Sequence, residues 1–343
     1  MPFYRGNLKP ETLNIAVLLP HTRVYGGVRR YVEMGNQFVR RGYDYIIHTP
    51  DGRPPDWIQY DGKAARLDEM NDEPDVLICG DVGMLPCFVE MTARLKIMNL
   101  LGSRFADKYR RYYREDMVVV GNSLEWKRYF PGVEGYTIAG AVNTDIFRPM
   151  RKKEAGGGQY RVMCFGRMSK KYKGVRFVID AMRRLKPRSD YVLVMFDNEP
   201  LKKPRGINVE THHGLTQEEL AALYNTADVF VSAEYGAGWS NTSAEAMACG
   251  VPLICTDSGT QDFAVDGETA LVVPHEDPAA IAAAIERLRG EEITAKGVRP
   301  LLLLNRLAEN GLRKIREFTW PRLCDRFEAL FRRHLGDYLG DCH

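Results

Sequence analysis

Two short apolar runs, DVFVSA and VPLICT, bracket an alanine-rich segment within residues 228–263, and that order of patterns admits little but a β-α-β unit. Continuous apolar runs bounded by turn residues suit strands covered on both faces. The segment between them, SNTSAEAMACG, predicts a helix opening at Thr242 or Ser243 and stopping at Gly250. The loops YGAGWSN and DSGTQDF then leave the carboxyl ends of parallel strands, the edge at which open α/β sheets bind ligands. Free amides at the helix start favour an anionic or hydroxyl-rich partner there.

The same alternation fills the chain. LNIAVLL, YDYIIHT, PDVLICG, RLKIMNL and DMVVVGN read as strands in the first half, and YRVMCFG, YVLVMFD, INVETH, DVFVSA, VPLICT and ALVV in the second. GGVRRYVEMGNQFVRRG, apolar at Val28, Val32 and the Phe38–Val39 pair, reads as an amphipathic helix closed by Gly42. RPMRKKEAGGGQY combines a proline, a charge run and consecutive glycines, cannot make a core element, and reads as a linker. At 343 residues the chain suits two domains, drawn here at 1–150 and 151–318, with a closing helix at 319–343.

Composition narrows the function classes. Charged residues make up 27% of the chain but nearly cancel, to a net +3, so no basic field fit for nucleic acid is implied. The seven cysteines include no C-x-x-C pair; Cys79, Cys164, Cys249 and Cys255 sit in apolar contexts and read as small core residues. That is a reduced, cytoplasmic pattern without a zinc site. LNIAVLLP is too short for a signal sequence, and no run approaches the roughly 18 apolar residues of a spanning helix. Any membrane role is therefore expected to be peripheral.

Two charged constellations carry the chemistry. Thr242 and Glu245 have the T-x-x-E spacing of a capping box, in which the glutamate only ties up a backbone amide. Thr216 and Glu219 repeat that spacing on a helix with no other sign of function, so spacing alone leaves Glu245 open between cap and ligand. In FGRMSKKYKGVRFVIDAM, Arg167 lies just past a strand and Lys173 where the next helix begins. A diphosphate needs a forked guanidinium, an ammonium and free helix-start amides. A solvated surface run would look the same.

SAEYGAGWSNTSAEAMACGVPLICTDSGT resembles the donor site of family 4 retaining glycosyltransferases (glycosyl transferases group 1). The resemblance implies the GT-B fold: α/β, two Rossmann-like domains facing across a cleft, with a C-terminal helix crossing back to the N-terminal domain. It implies that Glu245 binds the ribose of a nucleotide sugar and that Arg167 and Lys173, with Gly166 and Gly174, hold the donor diphosphate. Gly238, Trp239, Ser240, Asn241 and Thr242 fall in the same donor loop, and Gly214 and Leu215 in HHGLTQEELAALYNTADVFVS match the loop that meets the nucleobase. Gly26 and Gly27 match a Gly-Gly pair that approaches the sugar phosphate. The family's first glutamate, eight positions before the second, falls on Ala237, which leaves Glu234 as the candidate sugar contact. YVLVMFD runs into DNEP where a glycine pair is usual, and Asn99 stands near the place of a histidine in many relatives.

The expected reaction follows. No acidic cluster offers a metal site, so Arg167 and Lys173 would balance the leaving charge without a metal or other cofactor. Transfer on one face, with the departing phosphate helping to deprotonate the acceptor, needs no side-chain base. The acceptor, a glycan, lipid-linked or small molecule, leaves little trace. SRFADKYRRYYRE interleaves five basic residues with aromatics, and Arg110 and Arg111 there are the acceptor-side candidates. That face suits anionic lipid, though an ordinary amphipathic helix burying its aromatics is the plainer reading. The rival functions are an epimerase or phosphorylase on the same fold, and a two-domain solute-binding module, which would need an export signal.

Overall fold

The structure is a computed structural model that describes residues 13–24, 26–70, 73–150, 158–295 and 302–336. The chain forms two compact units, Met1–Gly140 with Trp320–His343, and Ala141–Thr319. The division thus falls at 140/141 rather than at 150/151. Residues 141–150 pack in the second unit, where Asn225 Nδ2 donates to the Arg148 carbonyl at 3.1 Å and Asn225 Oδ1 accepts the Met150 N–H at 2.7 Å. Of the expected linker, residues 151–157 lie outside the described residues.

In the first unit the strands are β1 (Asn14–Leu18), β2 (Asp44–Thr49), β3 (Lys63–Arg66), β4 (Val76–Cys79), β5 (Leu95–Leu100), β6 (Met117–Gly121) and β7 (Gly135–Thr137). All pairings are parallel, in the order β3-β2-β1-β4-β5-β6-β7. Its helices are α1 (Gly26–Arg40), α2 (Leu85–Glu90), α3 (Ala106–Tyr112) and α4 (Trp126–Tyr129). The sequence reading missed β3 and β7. Both lie at sheet edges and neither carries the apolar run of a buried strand. The predicted close of α1 at Gly42 holds. Gly42 has φ 89°, its N–H donates to the Val39 carbonyl at 2.9 Å, and the Tyr43 N–H reaches back to Phe38 at 3.1 Å. The Phe38 and Tyr43 rings meet edge-on at 5.2 Å, the apolar contact that accompanies this cap.

In the second unit the strands are β8 (Tyr160–Phe165), β9 (Tyr191–Asp197), β10 (Val209–His213), β11 (Val229–Ser232), β12 (Leu253–Cys255) and β13 (Leu271–Val272). They pair in parallel in the order β10-β9-β8-β11-β12-β13. The helices are α5 (Val175–Arg184), α6 (Gln217–Tyr224), α7 (Asn241–Ala248), α8 (Pro278–Ala295) and α9 (Leu302–Ile315). Val162, Val231 and Ile254 of the sheet share one core with Val178 of α5 and Ile285 of α8. The ends of this unit meet: the Val142 N–H donates to the Phe318 carbonyl at 2.9 Å, and Val142 pairs with Thr319 as an isolated parallel bridge.

After Thr319 the chain returns to the first unit as α10 (Trp320–Leu335). Phe331 stacks on Phe38 of α1 at 5.7 Å, and Arg41 pairs with Asp325 at 2.9 Å and Glu328 at 3.1 Å. Helix α10 covers Trp320–Leu335 of the closing segment expected at 319–343, of which residues 337–343 lie outside the described residues. Among the described residues no helix is long and apolar enough to cross a membrane. Cys79, Cys164, Cys249 and Cys255 are buried and free, and burial pushes the last three thiols up to about 12.

In each sheet the strand order reverses beside the first strand, between β1 and β4 in one unit and between β8 and β11 in the other. Connections diverge to opposite faces there, which opens a crevice outside the strand carboxyl ends.

Candidate active site

Arg167 stands at the switch point of the second sheet. Beyond β8 the Gly166 N–H still donates to the Phe196 carbonyl at 2.8 Å, and a Cβ at Gly166 would lie 2.6 Å from Leu201 Cδ1. Arg167 follows, and its Nη2 donates to Asp197 Oδ1 at 2.6 Å while Nε reaches Oδ1 at 3.0 Å and Oδ2 at 3.1 Å. Asp197 ends β9 with its side chain 5% exposed, against 22% for Arg167. The hydrogen bonds to Asp197 hold the guanidinium pKa above its ordinary value.

Lys173 closes a short turn, Lys171–Lys173, and its Nζ lies 2.8 Å from Glu234 Oε1, a carboxylate only 4% exposed beyond β11. Gly174 makes this approach possible. It has φ 65°, and a Cβ on it would lie 1.9 Å from the Ala233 carbonyl oxygen. No other residue lets the turn press so closely on the end of β11. The two cations also share a neighbour: the Phe165 ring centroid lies 5.3 Å from the Arg167 guanidinium carbon and 5.2 Å from Lys173 Nζ. Arg167, Lys173, Asp197 and Glu234 thus form one cluster at the crevice.

Helix α7 starts one residue earlier than its sequence suggested, at Asn241 with Ser240 as N-cap. The Ser240 N–H is already bound to the Gly259 carbonyl at 2.8 Å, and this anchor fixes where the helix begins. Glu245 consequently lies past the first turn, and Ser240 rather than Thr242 holds the N-cap position. The residue is 3% exposed, and its Oε2 accepts the Tyr224 hydroxyl at 3.0 Å. Thr216 and Glu219 do form the reciprocal box. Helix α7 ends as predicted: the Gly250 N–H donates to Met247 and the Val251 N–H to Ala246, both at 3.0 Å, with φ 74° at Gly250.

The loop between β11 and α7 is pinned to the loop after β12. The Thr256 hydroxyl donates to the Glu234 carbonyl at 2.5 Å, and the Ala237 N–H donates to Ser258 Oγ at 2.9 Å. Gly238 is buried, and Trp239 packs edge-on against Phe263 at 4.9 Å. The Ser240 and Ser243 hydroxyls are 2.8 Å apart, while Asn241 and Thr242 are half-buried at the helix start. Gly214, exposed with φ 65°, donates its N–H to the Asp197 carbonyl at 3.2 Å, and Leu215 beside it is half-buried. The donor-loop candidates of the sequence therefore converge on one edge of one sheet.

In the first unit Gly26 and Gly27 open α1, and Gly27 lines a cavity of about 170 Å³ with Leu19, His21, Tyr31 and Asp81 at the β1/β4 switch point. Asn99 is a different matter. It is fully buried; its Oδ1 accepts from Arg30 Nε at 3.2 Å and the Tyr31 hydroxyl at 3.1 Å, and its Nδ2 donates to the Val120 carbonyl at 2.8 Å. These bonds make it a brace between α1 and the sheet rather than a group presented to an acceptor. Arg110 pairs with Asp107 at 3.1 Å and donates to the Tyr129 carbonyl at 2.5 Å, and Arg111 lies over the Tyr112 ring at 5.5 Å. Tyr109 is buried, and Phe105, Tyr112 and Tyr113 pack on the core, as an amphipathic helix requires.

Sequence reasoning missed Asp197 and Tyr224. A strand-end aspartate three residues before a proline was the visible signal for the first, since a buried carboxylate needs a cation. Tyr224 carried no signal, because only the fold brings α6 against α7. Among the described residues no group of three or more His, Cys, Asp or Glu could hold a metal ion.

Comparison with known proteins finds similarity in the second unit and in the fold. Residues 159–290 match the family described as glycosyl transferases group 1. The chain is 29% identical over 207 residues to the MMP α-(1→4)-mannosyltransferase of Mycolicibacterium hassiacum, across 57% of this chain and 47% of that protein. It thus spans about half the length of that curated relative. The fold matches sucrose-phosphate synthase from Thermosynechococcus elongatus with a TM-score of 0.78 at 17% identity, over 95% of this chain and all of that one (100%). Anabaena HepE in complex with UDP-glucose matches with a TM-score of 0.72 at 13% identity, over 94% of this chain and 100% of that one. Within its second unit the chain thus resembles the glycosyl transferases group 1 family, and its fold is that of the GT-B glycosyltransferases.

Proposed function

We propose that this chain is a retaining glycosyltransferase that moves a sugar from a nucleotide-sugar donor to a glycan, glycolipid or small-molecule acceptor in cell-surface polysaccharide or glycoconjugate synthesis. The observation that carries the reading is the placement of Arg167 and Lys173 together on Phe165 at the switch point of the second sheet. When the bond from sugar to diphosphate breaks, negative charge gathers on the leaving phosphate. A guanidinium and an ammonium fixed there favour that state over the bound substrate. Glu245, oriented by Tyr224, accepts the ribose hydroxyls. Lys173 holds Glu234 at the strand end, where the missing glutamate at Ala237 leaves it the nearest carboxylate candidate for the sugar. Transfer to the same face proceeds without a metal and without a side-chain base, a role the buried Asn99 does not fill. The work is cytoplasmic, with peripheral contact at the membrane for lipid-linked acceptors.

The relatives support the donor class. One is named a mannosyltransferase, and the HepE structure holds UDP-glucose. A thermal-shift panel of UDP, GDP, dTDP and ADP tests the reading. One nucleoside diphosphate should stabilise the protein, and Arg167→Ala or Lys173→Ala should weaken its binding at least about tenfold, from loss of a charge-assisted contact of roughly 1.5–3 kcal/mol. Stabilisation by none of the four, or unchanged calorimetric affinity in both folded mutants, overturns it. Donor turnover with a candidate acceptor then separates transfer from epimerisation.

A further inference from the structure

Each cation of the cluster already has a buried counter-charge, and Asp197 meets Arg167 in the geometry a phosphate would use. Its two oxygens face Nε and Nη2 at 2.6–3.1 Å, the bidentate fork that matches carboxylate and phosphate alike. Asp197 is also held in place by the backbone. Its Oδ1 accepts the Asn198 N–H at 2.7 Å, and its carbonyl accepts the Gly214 N–H at 3.2 Å. The carboxylate therefore stays when an anion arrives. A guanidinium carries five N–H donors, and an incoming diphosphate is left the outer edge that Asp197 does not take. It must also bind beside a fixed negative charge that solvent, reaching 5% of that side chain, screens poorly.

Taking the donor-site reading as its basis, we propose that Asp197 is a built-in competitor of the donor diphosphate for Arg167, a specificity-setting residue that keeps the leaving nucleoside diphosphate loosely held. Arg167 then stabilises the charge that develops at bond cleavage without trapping the product. Glu234 repeats the arrangement on Lys173 at 2.8 Å. In this way the cluster offers two cations to the reaction and almost no net charge to a resting anion.

The test sets competition against mere orientation of Arg167, because the two predict opposite signs. Calorimetry is run on the full chain with the nucleoside diphosphate that stabilises it most among UDP, GDP, dTDP and ADP. Asp197→Asn and Asp197→Ser should each bind it at least about threefold more tightly, since a like charge is gone. The double variant Arg167→Ala/Asp197→Asn should bind no more tightly than Arg167→Ala, because the competition has lost its object. Weaker or unchanged binding in both Asp197 variants, with Arg167→Ala still impaired, overturns the competitor role and leaves the donor site standing. Unchanged binding in Arg167→Ala takes Arg167 out of the diphosphate contact and the competitor role with it, and unchanged binding in Lys173→Ala as well removes the donor site. The serine variant keeps the test decisive if the asparagine amide turns its N–H groups toward Arg167.

Discussion

Thr216 Oγ1 accepts the Glu219 N–H at 3.2 Å, and Glu219 Oε2 accepts the Thr216 N–H at 2.9 Å, which closes a capping box. Glu245, at the same spacing from Thr242, lies past the first turn of a helix whose N-cap is Ser240, and its Oε2 accepts the Tyr224 hydroxyl. Replacement by glutamine separates the two roles. Glu245→Gln keeps an oxygen for Tyr224 but loses one of the two acceptors a ribose diol needs. Its melting temperature should stay within about 2 °C of the parent, while nucleoside diphosphate affinity falls markedly by calorimetry. Glu219→Gln should alter neither, because glutamine also serves a capping box. Equal affinities in the two variants would remove Glu245 from the site. The identical spacing hid this difference from the sequence, since the helix start is fixed by the Ser240–Gly259 bond, a contact between loops on either side of α7 and β12. Arg167 and Lys173 were legible because strand-end and helix-start positions follow from local pattern; their carboxylate partners lie 30 and 61 residues away.

At the scale of elements, glycines show which turns the fold presses hardest. Gly174 and Gly214 both have φ 65°, yet a Cβ on Gly174 meets the Ala233 carbonyl at 1.9 Å whereas one on Gly214 meets nothing within 4 Å. Gly174→Ala should therefore cost about 2 kcal/mol or more, from strain plus displacement of the turn against β11. Gly214→Ala should cost only the left-handed conformation itself, about 1–2 kcal/mol. Urea unfolding measures both, and equal losses would mean that the Lys173 turn does not bear on β11 as described. The strands themselves were legible wherever they are buried on both faces, as in VLIC of β4 and VFVS of β11. β3 and β7 were not, because KAAR and GYT are buried on neither face and carry no apolar run.

For the whole molecule the balance of charge decides the chemistry expected. The chain carries a net +3, and its crevice cluster sets Arg167 and Lys173 against Asp197 and Glu234. With the cations supplied by the protein, EDTA treatment should leave nucleoside diphosphate binding and sugar transfer unchanged to within about twofold. A strict requirement for Mn²⁺ or Mg²⁺ would place the charge balance elsewhere. The two-unit plan was readable from alternation and length, but its dividing point was not. Residues 141–150 join the second unit through bonds to Asn225, and nothing in the local pattern of AVNTDIFRPM points to such partners.

The pairing of Val142 with Phe318 and Thr319 has a consequence for how such a chain is put together. The unit Ala141–Thr319 is one uninterrupted stretch whose two ends are stitched to each other, while the first unit needs both flanks of the chain to be complete. Exchange of a single gene segment can therefore replace the whole Arg167–Glu245 cluster and hand back two chain ends side by side. Loss of the last helix is not the mirror of that exchange. It strips Phe331 from Phe38 and two carboxylates from Arg41, and so falls on the half of the protein farthest from it in sequence.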